Sequence, residues 1–275
     1  MQRLEIFQSL WAMERRRPDG LEWSLEQKLS MIAEAGYEGI DIVQGDVAVA
    51  EIAPLLALHG LAASVTAFPK AADDLAPAIA LARDLGARHL NIIGQVYPFA
   101  VADAAKVVRD WLGQCAAAGL PVTLETHRDS VTTDLLFTLQ LMEAVPEMRL
   151  CADLSHFVVA REFAWPITAE VRAQIQKVLA QSAAFQGRIA SREQIQLQVG
   201  FDQHRDWVAL FESWWAEGFR LWRSRAGEDE VLNFLCELGP KEYAMTGPDG
   251  YELSDRWRDA LEIKRRVRQI WDELG

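Results

Sequence analysis

The chain has 275 residues, half of them hydrophobic and a quarter charged, with 10 Trp and 11 Phe. That is ample for one large core, and a single domain over residues 1–275 is expected, since parallel α/β barrels commonly reach this size undivided. Lys and Arg number 28 against 40 Asp and Glu, a net charge of −12, which repels phosphate backbones and anionic membranes and argues against a nucleic-acid partner. No apolar run has the length a membrane span needs. The first residues lead straight into a strand-like run rather than an apolar signal region. The cysteines, Cys115, Cys151 and Cys236, form no C-x-x-C pair, and their odd count argues against a disulfide framework. A soluble, cytoplasmic protein is the expectation.

Taken in chain order, short apolar runs alternate with amphipathic ones. Strands are expected at Leu4–Ser9, Gly39–Val43, Ala62–Ala67, His89–Ile93, Val122–Glu125, Arg149–Asp153, Phe185–Ala190 and Val231–Glu237. The first helix opens at Ser24 with Gln27 completing a capping box and stops at Gly36. Another runs from about Ala102 to Ala118 and stops at Gly119, with Pro121 beyond. The last begins near Ser254 and carries Trp257, Leu261, Val267, Ile270 and Trp271 along one stripe. Eight strands in strict alternation with eight helices leave an open doubly wound sheet or a closed (β/α)8 barrel. The count of eight, the missing Gly-rich phosphate loop after the first strand and the absence of a linker favour the barrel.

Chemistry in such barrels sits at the C-terminal strand ends, above an apolar lower interior. Side chains alternate along a strand, so residues two apart share a face. Thr123, Glu125 and His127 share one; Cys151 and Asp153 share another, with His156 a step beyond in "CADLSHF". Gln186 and Arg188 share one in "FQGRIAS", and Leu235 and Glu237 in "NFLCELGP". Glu125, Asp153 and Glu237 would therefore converge in one barrel mouth and repel one another. A proton, a basic side chain or a metal ion can relieve that repulsion, and oxygen donors from several strands suit a hard divalent cation.

Other polar residues are weighed against plainer roles. His59 and His89 lie at element starts and are expected to be structural. Trp214, Trp215 and Trp222 suit the core or a subunit interface, which makes a homodimer conceivable. Trp11 follows the first strand at the active rim and is expected to stack on a sugar ring. Gln194, Gln196 and Gln198 alternate as in an extended segment, and Gln196 is taken as pocket-lining. His204 sits in a loop or helix start and is not expected at the site.

The pieces "GYEGIDI", "GARHLNIIG", "LETHRDS", "CADLSHF" and "CELGPKEYA", in this order and spacing, resemble the sugar phosphate isomerase/epimerase family of xylose-isomerase-like TIM barrels. The resemblance covers nearly the whole chain; it is specific for fold and weak for substrate. It implies a divalent metal held by Glu125, Asp153, the residue closing strand seven and Glu237. It further implies Glu125 and Glu237 as the acid/base pair, and His156 and Arg188 on a small sugar or polyol substrate. His127, near a carboxylate, is read as a substrate contact too, its plainer role being to cap the strand end through a backbone carbonyl. The departure is at strand seven, where relatives read His-x-Arg and this chain reads Gln186-Gly187-Arg188. An amide oxygen in place of imidazole favours manganese or magnesium over zinc. Three functions follow. The first is isomerisation or epimerisation, in which one glutamate removes a proton next to a carbonyl to give an enediolate and the other returns it. The second is a lyase on a keto-sugar or inosose with the same first step. The third is a non-catalytic sugar-binding or partner subunit, motivated by Gln186 and the Trp-rich segment 191–229.

Overall fold

The computed structural model describes every residue except Pro18. The strands are β1 (Arg3–Ser9), β2 (Gly39–Val43), β3 (Ala62–Ala67), β4 (Leu90–Ile92), β5 (Val122–Glu125), β6 (Leu150–Ala152), β7 (Ser182–Gln186) and β8 (Val231–Cys236). All are parallel and pair in chain order, with β8 returning to β1 to close a barrel. The helices, among the described residues, are α1 (Leu25–Glu34), α2 (Val49–His59), α3 (Ala76–Asp84), α4 (Val101–Ala117), α5 (Leu135–Ala144), α6 (Leu154–Ala160), α7 (Ala169–Gln181), α8 (Arg205–Arg223) and α9 (Arg256–Glu273). None of them is long and apolar enough to cross a membrane.

Sequence punctuation accounts for the ends. The predicted capping box of α1 forms, with Ser24 accepting from the Gln27 backbone and Gln27 from the Ser24 N–H. Asp134, Thr168 and Asp255 cap α5, α7 and α9 through the side-chain acceptor alone. Gly39 is required by a close approach: the Phe7 ring fills the barrel beside it, and a Cβ there would lie 2.5 Å from that ring and 2.6 Å from the Ala62 carbonyl.

Two expectations are corrected. Strict alternation fails after β6, where α6 and α7 both precede β7; Asp153 ends the strand side and caps α6, so the chain turns helical at once. Strand β7 starts at Ser182 rather than Phe185, because α7 runs into it without a loop and the small residues of Ser182-Ala183-Ala184 hide the strand period. It also stops at Gln186 rather than Ala190, although Gly187 N–H still bonds the Leu235 carbonyl at 2.6 Å. That bond prolongs the extended course, so Arg188 keeps the face of Gln186.

The Trp-rich helix takes the first of its two expected places. Trp214, Trp215 and Trp222 are all buried in the core of the chain. They pack behind β7 and β8: Phe185 meets Phe219 edge-on at 5.3 Å and Trp215 meets Phe234 at 5.3 Å. Edge-to-face pairs add roughly 0.5–1.5 kcal/mol each beyond their burial. This aromatic wall fixes the two strands that deliver Gln186 and Glu237.

Candidate active site

Each side chain of the site reaches the mouth through a strand end and a local hydrogen-bond device. Glu125 closes β5, and the loop after it is a knot of short polar side chains. Within that knot Thr132 Oγ1 donates to the Glu125 carbonyl, His127 N–H donates to Thr132 Oγ1 at 3.2 Å, and Ser130 Oγ donates to the His127 carbonyl at 2.5 Å. Asp129 takes a positive φ of 54° there, and its carboxylate accepts from the Tyr97 hydroxyl at 2.8 Å. Asp153 accepts from the Ser155 N–H at 2.9 Å and from its hydroxyl, and α6 then carries His156 in its first turn. Arg188 and Glu237 follow β7 and β8.

The three carboxylates do converge: Glu125, Asp153 and Glu237 each present an oxygen within 4.8 Å of the others. Arg188 lies among them. Its Nη1 is 3.1 Å from Asp153 Oδ2 and its Nη2 is 2.9 Å from Glu237 Oε1. His156 Nε2 is 3.4 Å from Asp153 Oδ2 and 3.2 Å from Arg188 Nη1. The His127 ring lies over it at 4.0 Å between centroids. Glu125 is held from the other side, where Asn91 Nδ2 and Gln186 Nε2 both donate to Oε2, the latter at 2.8 Å. Its Oε1 is buried without a partner, as is Oε1 of Gln186.

The electrostatics follow from this crowding. Burial, with Glu237 and Asp153 adding to it, pushes the Glu125 carboxyl well above the usual range, against the Asn91 bond and Arg188. Burial also raises Glu237, where Arg188 opposes the shift most, and raises Asp153 against Arg188 and Ser155. Burial lowers His127 to about 4, with Arg188 reinforcing it, and holds His156 well below its ordinary value for the same reasons plus its neighbour His127. Both imidazoles are therefore neutral near pH 7. For Arg188, burial is outweighed by Glu237 and Asp153, so the guanidinium stays charged.

Of the predicted residues, Glu125, His127, Asp153, His156, Gln186, Arg188 and Glu237 meet at one place. Trp11 is at the same mouth, half-buried, but its ring lies edge-on to Tyr243 at 5.3 Å. Gln196 lines a cavity beside Tyr243, and its amide is tied to the segment after β8: its Nε2 donates to the Gly239 carbonyl at 3.2 Å and its Oε1 accepts from the Gly239 N–H at 2.7 Å. Those two bonds also position the loop that carries Glu237. His204 is engaged at Nδ1 by the Gln198 carbonyl, 2.8 Å away. His89 lies outside the cluster, as expected, and burial lowers it to about 4.

Sequence reasoning missed Asn91, Asp41 and Tyr243. Asn91 and Asp41 stand inside "GARHLNIIG" and "GYEGIDI", and the inward alternation that picked out Glu125 would have found them. Asp41, buried on β2, accepts from Ser64 Oγ at 2.6 Å, and burial still pushes it up to about 6. Tyr243 stands inside "CELGPKEYA", but that motif does not show what its ring faces. It comes from the loop after β8 and lies with its ring centroid 5.2 Å from the Arg188 guanidinium and 5.1 Å from that of Arg128.

The cluster fits a divalent cation of the hard, oxygen-binding kind. The acidic set offers only oxygens, and the unpartnered Oε1 atoms of Glu125 and Gln186 lack the partner that buried acceptors normally have. Arg188 already neutralises part of the acidic charge through Asp153 and Glu237.

No family model and no curated protein matches the chain. Solved structures do. A xylose isomerase-like TIM barrel protein from Mycobacterium smegmatis, solved in complex with magnesium, is 17% identical, with 98% of each chain covered and a TM-score of 0.67. A sugar phosphate isomerase/epimerase from Parabacteroides distasonis ATCC 8503 is 9% identical over 98% of this chain and 95% of its own, with a TM-score of 0.62. A probable 3-DHS dehydratase from Bacillus anthracis is 16% identical over 96% and 98%, with a TM-score of 0.58. The chain thus has the fold of the xylose isomerase-like TIM barrels, the architecture its sequence resembles.

Proposed function

We propose that the chain is a metal-dependent isomerase or epimerase of a hydroxycarbonyl compound, a sugar or keto-cyclitol, with Glu125 and Glu237 as its acid/base pair. The observation that carries this is the meeting of Glu125, Asp153 and Glu237 within 4.8 Å. Glu125, Asp153, Glu237 and the amide oxygen of Gln186 would hold the ion. When bound it would polarise the substrate carbonyl and make the neighbouring C–H more acidic. Manganese or magnesium suits these oxygens better than zinc.

The protein's own groups account for the proton traffic. Arg188 opposes the upward shift of Glu237 most strongly, so Glu237 is the readier base. Glu125, driven further up, is the group that more readily holds a proton and returns it. Proton removal by one and return by the other, on the neighbouring carbon or the opposite face, gives isomer or epimer. Neutral His127 and His156 can hydrogen-bond substrate hydroxyls without adding charge. Tyr243 and Trp11 restrict water at the mouth.

Dehydration is the second reading, favoured by the likeness to the probable dehydratase and by the identical first step. Glu125→Gln and Glu237→Gln, assayed on a panel of ketoses and keto-cyclitols, test the pair: each should abolish turnover with folding intact, and near-normal activity in either refutes its role. Product mass separates the two reactions. Isomerisation leaves it unchanged and dehydration lowers it by one water.

A further inference from the structure

Arg128 stands outside the machinery just described. It follows His127 in the hydrogen-bonded loop after β5, and it is exposed at the barrel mouth. Its guanidinium lies 5.1 Å from the centroid of the Tyr243 ring, the same ring that Arg188 approaches at 5.2 Å. A guanidinium held over an aromatic face is positioned without being neutralised. Other arginines around the site are neutralised: Arg188 by Asp153 and Glu237, Arg15 by Glu242, Arg192 by Glu193. The Arg128 guanidinium makes no hydrogen bond or ion pair among the described residues, while its backbone carbonyl meets Nδ1 of the His127 ring, and the adjacent Asp129 carboxylate is engaged by Tyr97.

Charge within the site makes this cation stand out. With the three site carboxylates ionised, Arg188 together with one divalent ion would balance them, so Arg128 is not needed for that at the entrance. In a chain of net charge −12, an unpaired guanidinium facing an otherwise balanced pocket has one evident use, to meet an anionic group on the ligand. Its planar fork of donors matches a carboxylate in bidentate fashion.

We infer that Arg128, held by Tyr243, forms an anion subsite at the barrel mouth, and that the substrate is a hydroxycarbonyl compound bearing a terminal anionic group, a carboxylate or a phosphate. This deepens the proposed function and rests on its reading of the site. A single guanidinium with no glycine-rich phosphate loop beside it matches the carboxylate form.

The test is binding of three matched ligands to the manganese-loaded protein and to Arg128→Gln, by calorimetry. D-fructose, D-fructuronate and D-fructose 6-phosphate share a skeleton and differ at one terminal carbon. Wild type should bind at least one of the anionic compounds about tenfold or more tighter than fructose, an increment typical of a charge-assisted pair. Which anion wins identifies carboxylate or phosphate. Arg128→Gln should bring that ratio to within about twofold of one while leaving fructose binding unchanged, and Arg128→Lys should retain part of it. Equal affinities in wild type, binding of none of the three, or a ratio that survives Arg128→Gln overturns the inference. Failure of the isomerase reading shows differently: solvent deuterium enters none of the ligands while the Arg128-dependent ratio stands.

Discussion

Arg188 and Glu237 are joined at 2.9 Å across the seam between β7 and β8, with the guanidinium almost wholly buried and the carboxylate side chain 17% exposed. The same guanidinium reaches buried Asp153 at 3.1 Å. The protein thus carries one internal cation for two of its converging acids. Removing one partner of a buried pair strands the other and typically costs about 3–5 kcal/mol. Arg188→Met should destabilise the metal-free protein by about that much in urea denaturation at pH 7. Adding Glu237→Gln to it should recover part of the loss. A cost below about 1 kcal/mol would mean that the pair does not carry the acidic cluster.

Gly187 separates Gln186 from Arg188 and lets both turn inward. A Cβ on it would stand 2.7 Å from the Phe234 ring and 3.1 Å from Ile263, and Phe234 is itself wedged by Trp215. Overpacking of this kind costs about 1–3 kcal/mol. Gly187→Ala should lose that much stability, and it should also lower substrate turnover by displacing the two side chains it separates. Calorimetry and kinetics on one preparation check both; unchanged stability would show that the wall yields.

Asp41 gives a pH signature of its own. Burial raises it to about 6 from an ordinary value of 3.8. A carboxyl raised in the folded state favours folding while protonated, so its contribution is full at about pH 4 and is lost as pH rises toward about 6. Two units correspond to about 3 kcal/mol as an upper figure. Asp41→Asn, which keeps the acceptor for Ser64, should match wild type near pH 4 and exceed it by up to about 3 kcal/mol at pH 7.5. A pH-independent difference in thermal unfolding would assign the effect to packing.

On the proposed reading of the site, Gln186 would select the ion. Its amide now donates to Glu125 and leaves one oxygen spare, whereas imidazole is a stronger ligand for zinc. Gln186→His should raise the affinity for zinc relative to manganese by about tenfold or more, measured by competition against a chelating dye. An unchanged ratio would place the ion elsewhere than at Gln186.

The legible part of this molecule was whatever a single strand writes down. The polar residue ending an apolar run identified Glu125, Asp153 and Glu237, and the capping box marked the start of α1. Strand β7 was harder because Ser182-Ala183-Ala184 carries no hydrophobic period, and its place is set by α7 and by the aromatic wall behind it. Gln196 was readable as a pocket amide, but sequence cannot show that Gly239 takes both of its ends. Tyr243, between Trp11 and two arginines, owes its position to the turn that follows β8, where its N–H bonds the Pro240 carbonyl. Asn91 was readable by the same alternation, but as a polar residue within a short apolar strand it drew no notice.

Solvent deuterium wash-in tests the central claim most directly. The manganese-loaded protein is incubated in D2O with candidate ketoses, uronates and keto-cyclitols, and the carbon next to the carbonyl is followed by NMR. The account predicts incorporation at that carbon in at least one compound, and its loss in both Glu125→Gln and Glu237→Gln. Absence of incorporation in every compound, or incorporation that survives either substitution, would contradict it.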